Sequence, residues 1–169
     1  MKRNAALAQL SRDHHQALAR ALKLKRADES SAAEALRDMV EFFDAHGALH
    51  FRVEEDVLLP GYVREAGADP NDVQIVRVLT DHVWIRARIA ALREATAPPP
   101  AELRELGQRL DDHVRHEERV LFPAIEQALS AEQLAALGQA VEAAEAATSR
   151  RPEPSGCTRR ASPSAVRRS

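Results

Sequence analysis

Two stretches of this chain carry the same chemistry-bearing residues in the same order. His50-Phe51-Arg52-Val53-Glu54-Glu55-Asp56-Val57-Leu58-Leu59-Pro60 aligns with His113-Val114-Arg115-His116-Glu117-Glu118-Arg119-Val120-Leu121-Phe122-Pro123 at an offset of 63 residues. A histidine and a glutamate four residues apart share one face of a helix, one turn from each other. A shorter echo pairs Asp13-His14 with Asp81-His82. Imidazole nitrogens and carboxylate oxygens are ligands for divalent first-row metals. The histidines and glutamates also fall inside apolar stripes of helical period, so the fold would point four imidazoles and two carboxylates into one core. An unpaired buried carboxylate costs several kcal/mol, against a total domain stability of ~5–15 kcal/mol. A pair of divalent cations would neutralise the acids and take a lone pair from each imidazole.

Four helical stripes must position these groups. The first runs Leu7, Leu10, His14, Ala17, Ala21, Leu24, and the second Leu36, Val40, Phe43, Gly47, His50, Glu54, Val57. The third includes Ile75, Leu79, His82, Arg86 and Ile89, and the fourth Leu103, Leu106, Leu110, His113, Glu117 and Val120. Steps of three and four residues are those of an antiparallel helix bundle. The punctuation agrees. Asp28-Glu29-Ser30-Ser31 ends the first segment, and Ser31 with Glu34 forms a capping box for the second. Leu59-Pro60-Gly61 interrupts the second, Asp69-Pro70 opens the third, and Pro98-Pro99-Pro100 separates the third from the fourth. Phe122-Pro123 bends or ends the fourth, and Ser130 with Gln133 caps a short last helix. The expected fold is therefore all-α: an up-down four-helix bundle with a short extra C-terminal helix. It occupies residues 1–147, and an Arg/Pro/Ser-rich, disordered tail covers 148–169.

Spacing excludes two common metal sites. A helical zinc-protease motif around His116-Glu117 would need a histidine at position 120, which is Val120. The Glu-x-x-His pattern of ferritin-like di-iron bundles is absent. What remains, His14, His50-x-x-x-Glu54, His82 and His113-x-x-x-Glu117, resembles the hemerythrin-like (HHE cation-binding) family over residues from about 5 to 147. The resemblance implies a four-helix bundle around a non-haem di-iron centre with two bridging glutamates. By position, His14, His50, Glu54, His82, His113 and Glu117 are then the metal ligands. Iron, two ions per chain, is the implied cofactor, and manganese or zinc would suit the same donors. The sequence departs from the oxygen-carrying hemerythrins, which have a His-x-x-x-His pair on the third helix. Here the residue four after His82 is Arg86, which leaves more coordination positions open.

His15 lies beside His14 and is the alternative first-helix ligand, although the match of Asp13-His14 to Asp81-His82 favours His14. His46, one turn before His50, is a candidate fifth nitrogen or a nearby surface group. His116 is expected at the bundle edge, and Glu55 and Glu118, about 100° off the ligand face, are expected to pair with arginines at the surface. Arg86 is expected near the site, where its charge would favour turnover over simple binding. Three functions compete. The centre binds dioxygen or a related small ligand for sensing or storage, or it reduces peroxide or nitric oxide, or it handles iron itself.

Composition removes other classes. Net charge is −2, so a dedicated nucleic-acid binder is not expected. The chain has one cysteine, Cys157, so neither a disulfide framework nor a cysteine zinc site is possible. No apolar run approaches the length of a membrane helix, and the N-terminal apolar stretch is too short for a secretory signal. The expectation is a cytoplasmic monomer whose partner is a small diatomic molecule or peroxide. The tail from Thr148 holds six arginines against one acid, Glu153, and has no periodic apolar face. Deleting residues 150–169 is expected to leave metal content and melting temperature unchanged, and a large loss of either would show that the tail docks on the bundle.

Overall fold

The computed structural model describes residues 3–149, and these contain helix and turns with no strand. The disorder expected for 148–169 therefore lies outside the described residues, except at Thr148 and Ser149, which end the last helix. A 3-10 turn, Ala5–Leu7, leads into α1 (Ala8–Arg26). A second unbroken helical stretch comprises α2 (Ala32–Phe42), α3 (Ala48–Val53) and α4 (Leu59–Ala66). Then come α5 (Val73–Leu92), a stretch made of α6 (Pro100–His116) and α7 (Phe122–Ala128), and α8 (Ala131–Ser149).

The sequence explains the ends. Asp72 accepts a hydrogen bond from Gln74 N–H at 2.7 Å and caps α5, while Asp69, expected in that role, instead ties the preceding turn through Asn71 N–H. Ser130 and Gln133 bond reciprocally at 3.2 and 2.9 Å, the capping box read from sequence. The helix that they start is not short. It spans 19 residues, as long as α1, so the described residues form five helical stretches and not four with a stub. Leu134, Leu137 and Val141, at helical spacing, are buried and explain its length.

Two apolar clusters fill the interior. One gathers Ala17, Ala21, Leu24, Met39, Phe43, Ile85, Ile89, Leu106 and Leu110. The other gathers Leu7, Leu10, Leu58, Val78, Leu121, Phe122, Ile125 and the α8 residues Leu134, Leu137 and Val141. His14 and His82 fall in sequence between residues of the two clusters, so a polar layer divides the core.

Pro60 and Pro123 do not end their helices. The reason is a π turn before each, Glu54–Leu58 and Glu117–Leu121. Leu59 N–H bonds to Glu54 C=O and Phe122 N–H to Glu117 C=O, five residues apart in each case. A proline inside an α-helix collides with the carbonyl four residues back and lacks the N–H that would bond it. The widened turn has already moved the ladder to a five-residue step, so the ring is accommodated. The extra residue also rotates the rest of the helix about its axis. Val57 and Val120 were expected in the stripe, yet Leu58 (0% exposed) and Leu121 (1%) take those places, and Val120 is 40% exposed. A third π turn, Phe43–Gly47, occurs only in the first hairpin.

The α5 helix also departs from its stripe. Leu79 lies outward, along with Val73, Val76 and Val83, so this helix presents an apolar row that the described residues leave exposed. Elsewhere packing is tight. The α1 and α6 helices approach closely at Gly107, where a Cβ would sit 2.7 Å from the Ala21 carbonyl oxygen and 2.8 Å from Leu24 Cβ. Replacing Gly107 with Ala is expected to destabilise the protein by about 1–3 kcal/mol, because backbone blocks the new methyl. Alanine's helix propensity would favour the variant by only about 1 kcal/mol. Thermal unfolding checks this, and a raised melting temperature would contradict the close approach.

Candidate metal centre

The six residues carried over by resemblance come together. His14, His50, Glu54 and Glu117 place ligand atoms within 4.8 Å of one another, and so do Glu54, His82, His113 and Glu117. The two quartets share both glutamates. All six side chains are buried, Glu54 to 1% and Glu117 to 0% exposure. His15 stays outside, exposed, with its Nδ1 2.8 Å from the Ser11 carbonyl oxygen of its own helix. His46 is exposed too. It is carried around by the π turn Phe43–Gly47 to a tilted contact with Phe42.

Distances within the cluster are short but not those of a hydrogen-bonded network. His14 Nε2 lies 3.1 Å from Glu117 Oε2, His50 Nε2 3.2 Å from Glu54 Oε1, and His82 Nε2 3.3 Å from Glu54 Oε2. His113 Nε2 lies 3.3 Å from Glu117 Oε2. Despite this closeness, all four oxygens of Glu54 and Glu117, both ring nitrogens of His113 and Nε2 of His82 lack a hydrogen-bond partner. The angles are wrong because the atoms face a common space between them and not one another. Orphaned buried acceptors on this scale are rare and expensive.

The outer ring atoms explain which way each imidazole faces. His14 Nδ1 donates to Glu118 Oε1 at 2.7 Å and His82 Nδ1 to Glu55 Oε1 at 2.8 Å. His50 Nδ1 is 3.4 Å from Asp13 Oδ2, and His113 Nδ1 is 3.7 Å from Asp81 Oδ2. With Nδ1 protonated toward a carboxylate, Nε2 turns its lone pair inward, as metal-ligating histidines require. His14 and His50 then bring two Nε2 atoms within 3.1 Å. Two lone pairs and two carboxylates facing one space repel unless a cation lies between them. The donor set therefore fits a metal pair.

These outer acids overturn one expectation. Glu55 and Glu118 do pair with Arg86 and Arg3, but they are part-buried and grip His82 and His14. Their common signal was the second glutamate of each repeat, and the doublets Asp13-His14 and Asp81-His82 carried the signal for the aspartates. Arg86 is likewise turned away from the centre, onto Glu55 and the face of Phe51. His116 is 5% exposed and not at the edge.

A small cavity of about 20 Å³ adjoins the cluster. Its walls include Met39, Phe42, Phe43, Ile85 and Leu110, with His14, His50 and His113 facing it and Asp13 and His46 among its lining residues. Space of that size admits a molecule like water.

Electrostatics follow from the geometry. Burial lowers the His50 pKa, yet the charge of Glu54 and the hydrogen bond to Asp13 outweigh it and raise the value well above the ordinary one. Burial lowers His14 and His82 as well, and the carboxylates beside them, Glu117 and Glu118 for the one and Glu54 and Glu55 for the other, raise them on balance. Burial pushes Glu54 up, but His50 and His82 hold it well below the usual carboxylate range. Burial also opposes ionisation of Glu118, and His14, Ser11 and Arg3 bring it down to about 2.

The family model described as hemerythrin HHE cation binding domain matches residues 6–125 and again 73–161. The second match begins at the first residue of α5, where the second half of the internal duplication starts. Comparison with curated proteins and with solved structures gives no match.

The raised histidine values stabilise the metal-free protein fully below their unfolded pKa near 6.5, and that stability is lost as pH rises through the folded values. Metal needs the same imidazoles deprotonated, so its hold strengthens along the same rise. The gap in melting temperature between metal-loaded and metal-free protein is expected to widen from about pH 6 to about pH 8. A gap that narrows would mean that these imidazoles are not the metal's donors.

Proposed function

The chain belongs to the hemerythrin HHE cation-binding domain family, and from that premise we propose that it holds two iron ions and binds dioxygen or a related small ligand for storage or sensing. The observation that carries this reading is the set of unpartnered interior atoms on Glu54, Glu117, His82 and His113, residues that with His14 and His50 form two quartets sharing both glutamates. In this reading the helices form an up-down four-helix bundle, with α8 added across one end. His14 and His50 would hold one ion and His82 and His113 the other, with Glu54 and Glu117 shared between them. Iron so held would supply a change of oxidation state for a small ligand.

The chain's own residues favour binding over turnover. The cavity walls Met39, Phe42, Phe43, Ile85 and Leu110 exclude bulk water and admit only a very small guest. Arg86, the one cation expected near the site, is occupied outside it by Glu55. The alternative, reduction of peroxide or nitric oxide, draws support from Asp13 and His46. They line the cavity and are both open to solvent, so they offer a route for protons.

Anaerobic loading with ferrous iron is expected to give about two ions per chain, and metal analysis returning one or none would count against the paired site. Stopped-flow absorbance of the loaded protein with dioxygen, peroxide and nitric oxide separately then divides the readings. Reversible binding of a diatomic ligand without consumption supports the first. Multiple turnovers of peroxide or nitric oxide support the second, and release of iron with no ligand response would point to iron handling. Glu54→Ala or Glu117→Ala should cut bound iron from about two to one or none, because one carboxylate is the charge shared by both ions. Arg64→Ala, on an exposed side chain far from the centre, should keep both.

A further inference from the structure

Two four-membered assemblies surround the centre, built in part from residues that the internal duplication does not align. In one, Glu118 accepts from His14 Nδ1 at 2.7 Å and is held by Arg3 at 2.6 Å. The Arg3 guanidinium lies 5.2 Å above the ring of Phe122, and that ring stacks on His14 at 5.3 Å. In the other, Glu55 accepts from His82 Nδ1 at 2.8 Å and is held by Arg86 at 2.6 and 3.1 Å. Arg86 lies 5.2 Å above Phe51, which stacks on His82 at 3.7 Å.

Each assembly takes its histidine and arginine from one half of the chain and its glutamate and phenylalanine from the other. Only the histidines and glutamates are repeat partners. Arg3 precedes the first helix, whereas Arg86 sits one turn beyond His82. The repeat counterparts of Phe51 and Phe122 are Val114 and Leu59. The same construction has thus been completed twice with unrelated positions, which chance surface pairing does not explain. Arg3 is further fixed by the Glu118 carbonyl oxygen at 2.7 Å, by Ser11 at 3.3 Å and by Glu126 at 3.2 Å. That carbonyl belongs to the π turn carrying Glu117.

We infer that Arg3 and Arg86 are positioning residues of the metal centre, each pinning a carboxylate that fixes one ligand histidine and directs its Nε2 inward. Arg3 serves the position of His14 and His50, and Arg86 serves that of His82 and His113. Arg3 is thereby part of the site, although it touches none of the interior atoms that face the centre. This rests on the paired-metal reading of the centre.

The test titrates the metal-free full chain with ferrous iron under anaerobic conditions. Arg3→Gln is expected to weaken one binding step by about tenfold or more and leave the other near wild type. Arg86→Gln should weaken the other step, and the double variant both. The step that Arg3→Gln weakens should be the one that His14→Gln abolishes, a correspondence that general destabilisation would not produce. Lysine at either position should recover only part of the loss, since it keeps the charge without the two-pronged grip. Wild-type isotherms in both variants would overturn the inference. So would equal weakening of both steps that tracks a fall in the metal-free melting temperature. Should Arg3→Gln fail to fold, Glu118→Gln, of the same size, carries the same expectation and the same overturning result. A wild-type chain that binds no iron would instead sink the functional reading and this inference with it.

Discussion

Glu54 and Glu117 are carried into the middle of a helical core with none of their four oxygens hydrogen-bonded and almost no contact with solvent. In so weakly polarisable a place a lone anion is costly, and two within one cluster repel as well. The surroundings answer in layers of alternating sign. Imidazoles face the two acids, carboxylates from Asp13, Glu55, Asp81 and Glu118 back the imidazoles, and Arg3, Arg86 and Arg109 back three of those carboxylates. Each layer faces charge or dipole of opposite sense in the next one out, and the innermost faces only itself. A cation there completes the series, and the rest of the molecule is arranged around that requirement.

The helices meet the requirement through their irregular turns. A regular helix would bring Pro60 and Pro123, six residues after the two glutamates, into conflict with the ladder. The π turns that begin at Glu54 and Glu117 remove the conflict, and each opens at the carbonyl of an interior acid's own residue. They also reset the apolar face, so Leu58 and Leu121 seal the polar layer from one side. The aromatic rings of Phe51 and Phe122 pack flat on His82 and His14, which restricts ring rotation as well as solvent entry. The α8 helix closes the cluster on that side with Leu134, Leu137 and Val141.

Most of the inner site was legible because it is duplicated. One buried histidine says little, but His50 with Glu54 and His113 with Glu117 repeat a register, and His14 and His82 repeat a neighbour. The outer layer was harder to see. Glu55 and Glu118 point about 100° away from the ligand face, toward what looks like solvent when each helix is considered alone. They become part-buried only because the helix from the other half lies beside them. Arg86 was misplaced for the same reason, since stripe membership gives a direction but not the neighbour that intercepts the side chain. The π turns leave the spacing before them intact and show only in the residues beyond them, as Leu58 for Val57 and Leu121 for Val120. The length of α8 was readable from Leu134, Leu137 and Val141, and a capping box alone gives a start without an end.

The central claim is that the interior acids and imidazoles enclose a pair of metal ions. X-ray absorption at the iron edge of the reconstituted protein tests it most directly. The account predicts a first shell of nitrogen and oxygen only, together with a second iron scatterer at roughly 3.5–4 Å, the separation of two-metal sites. A spectrum with no iron neighbour, or with a shell dominated by water oxygens and no imidazole scattering, would contradict it.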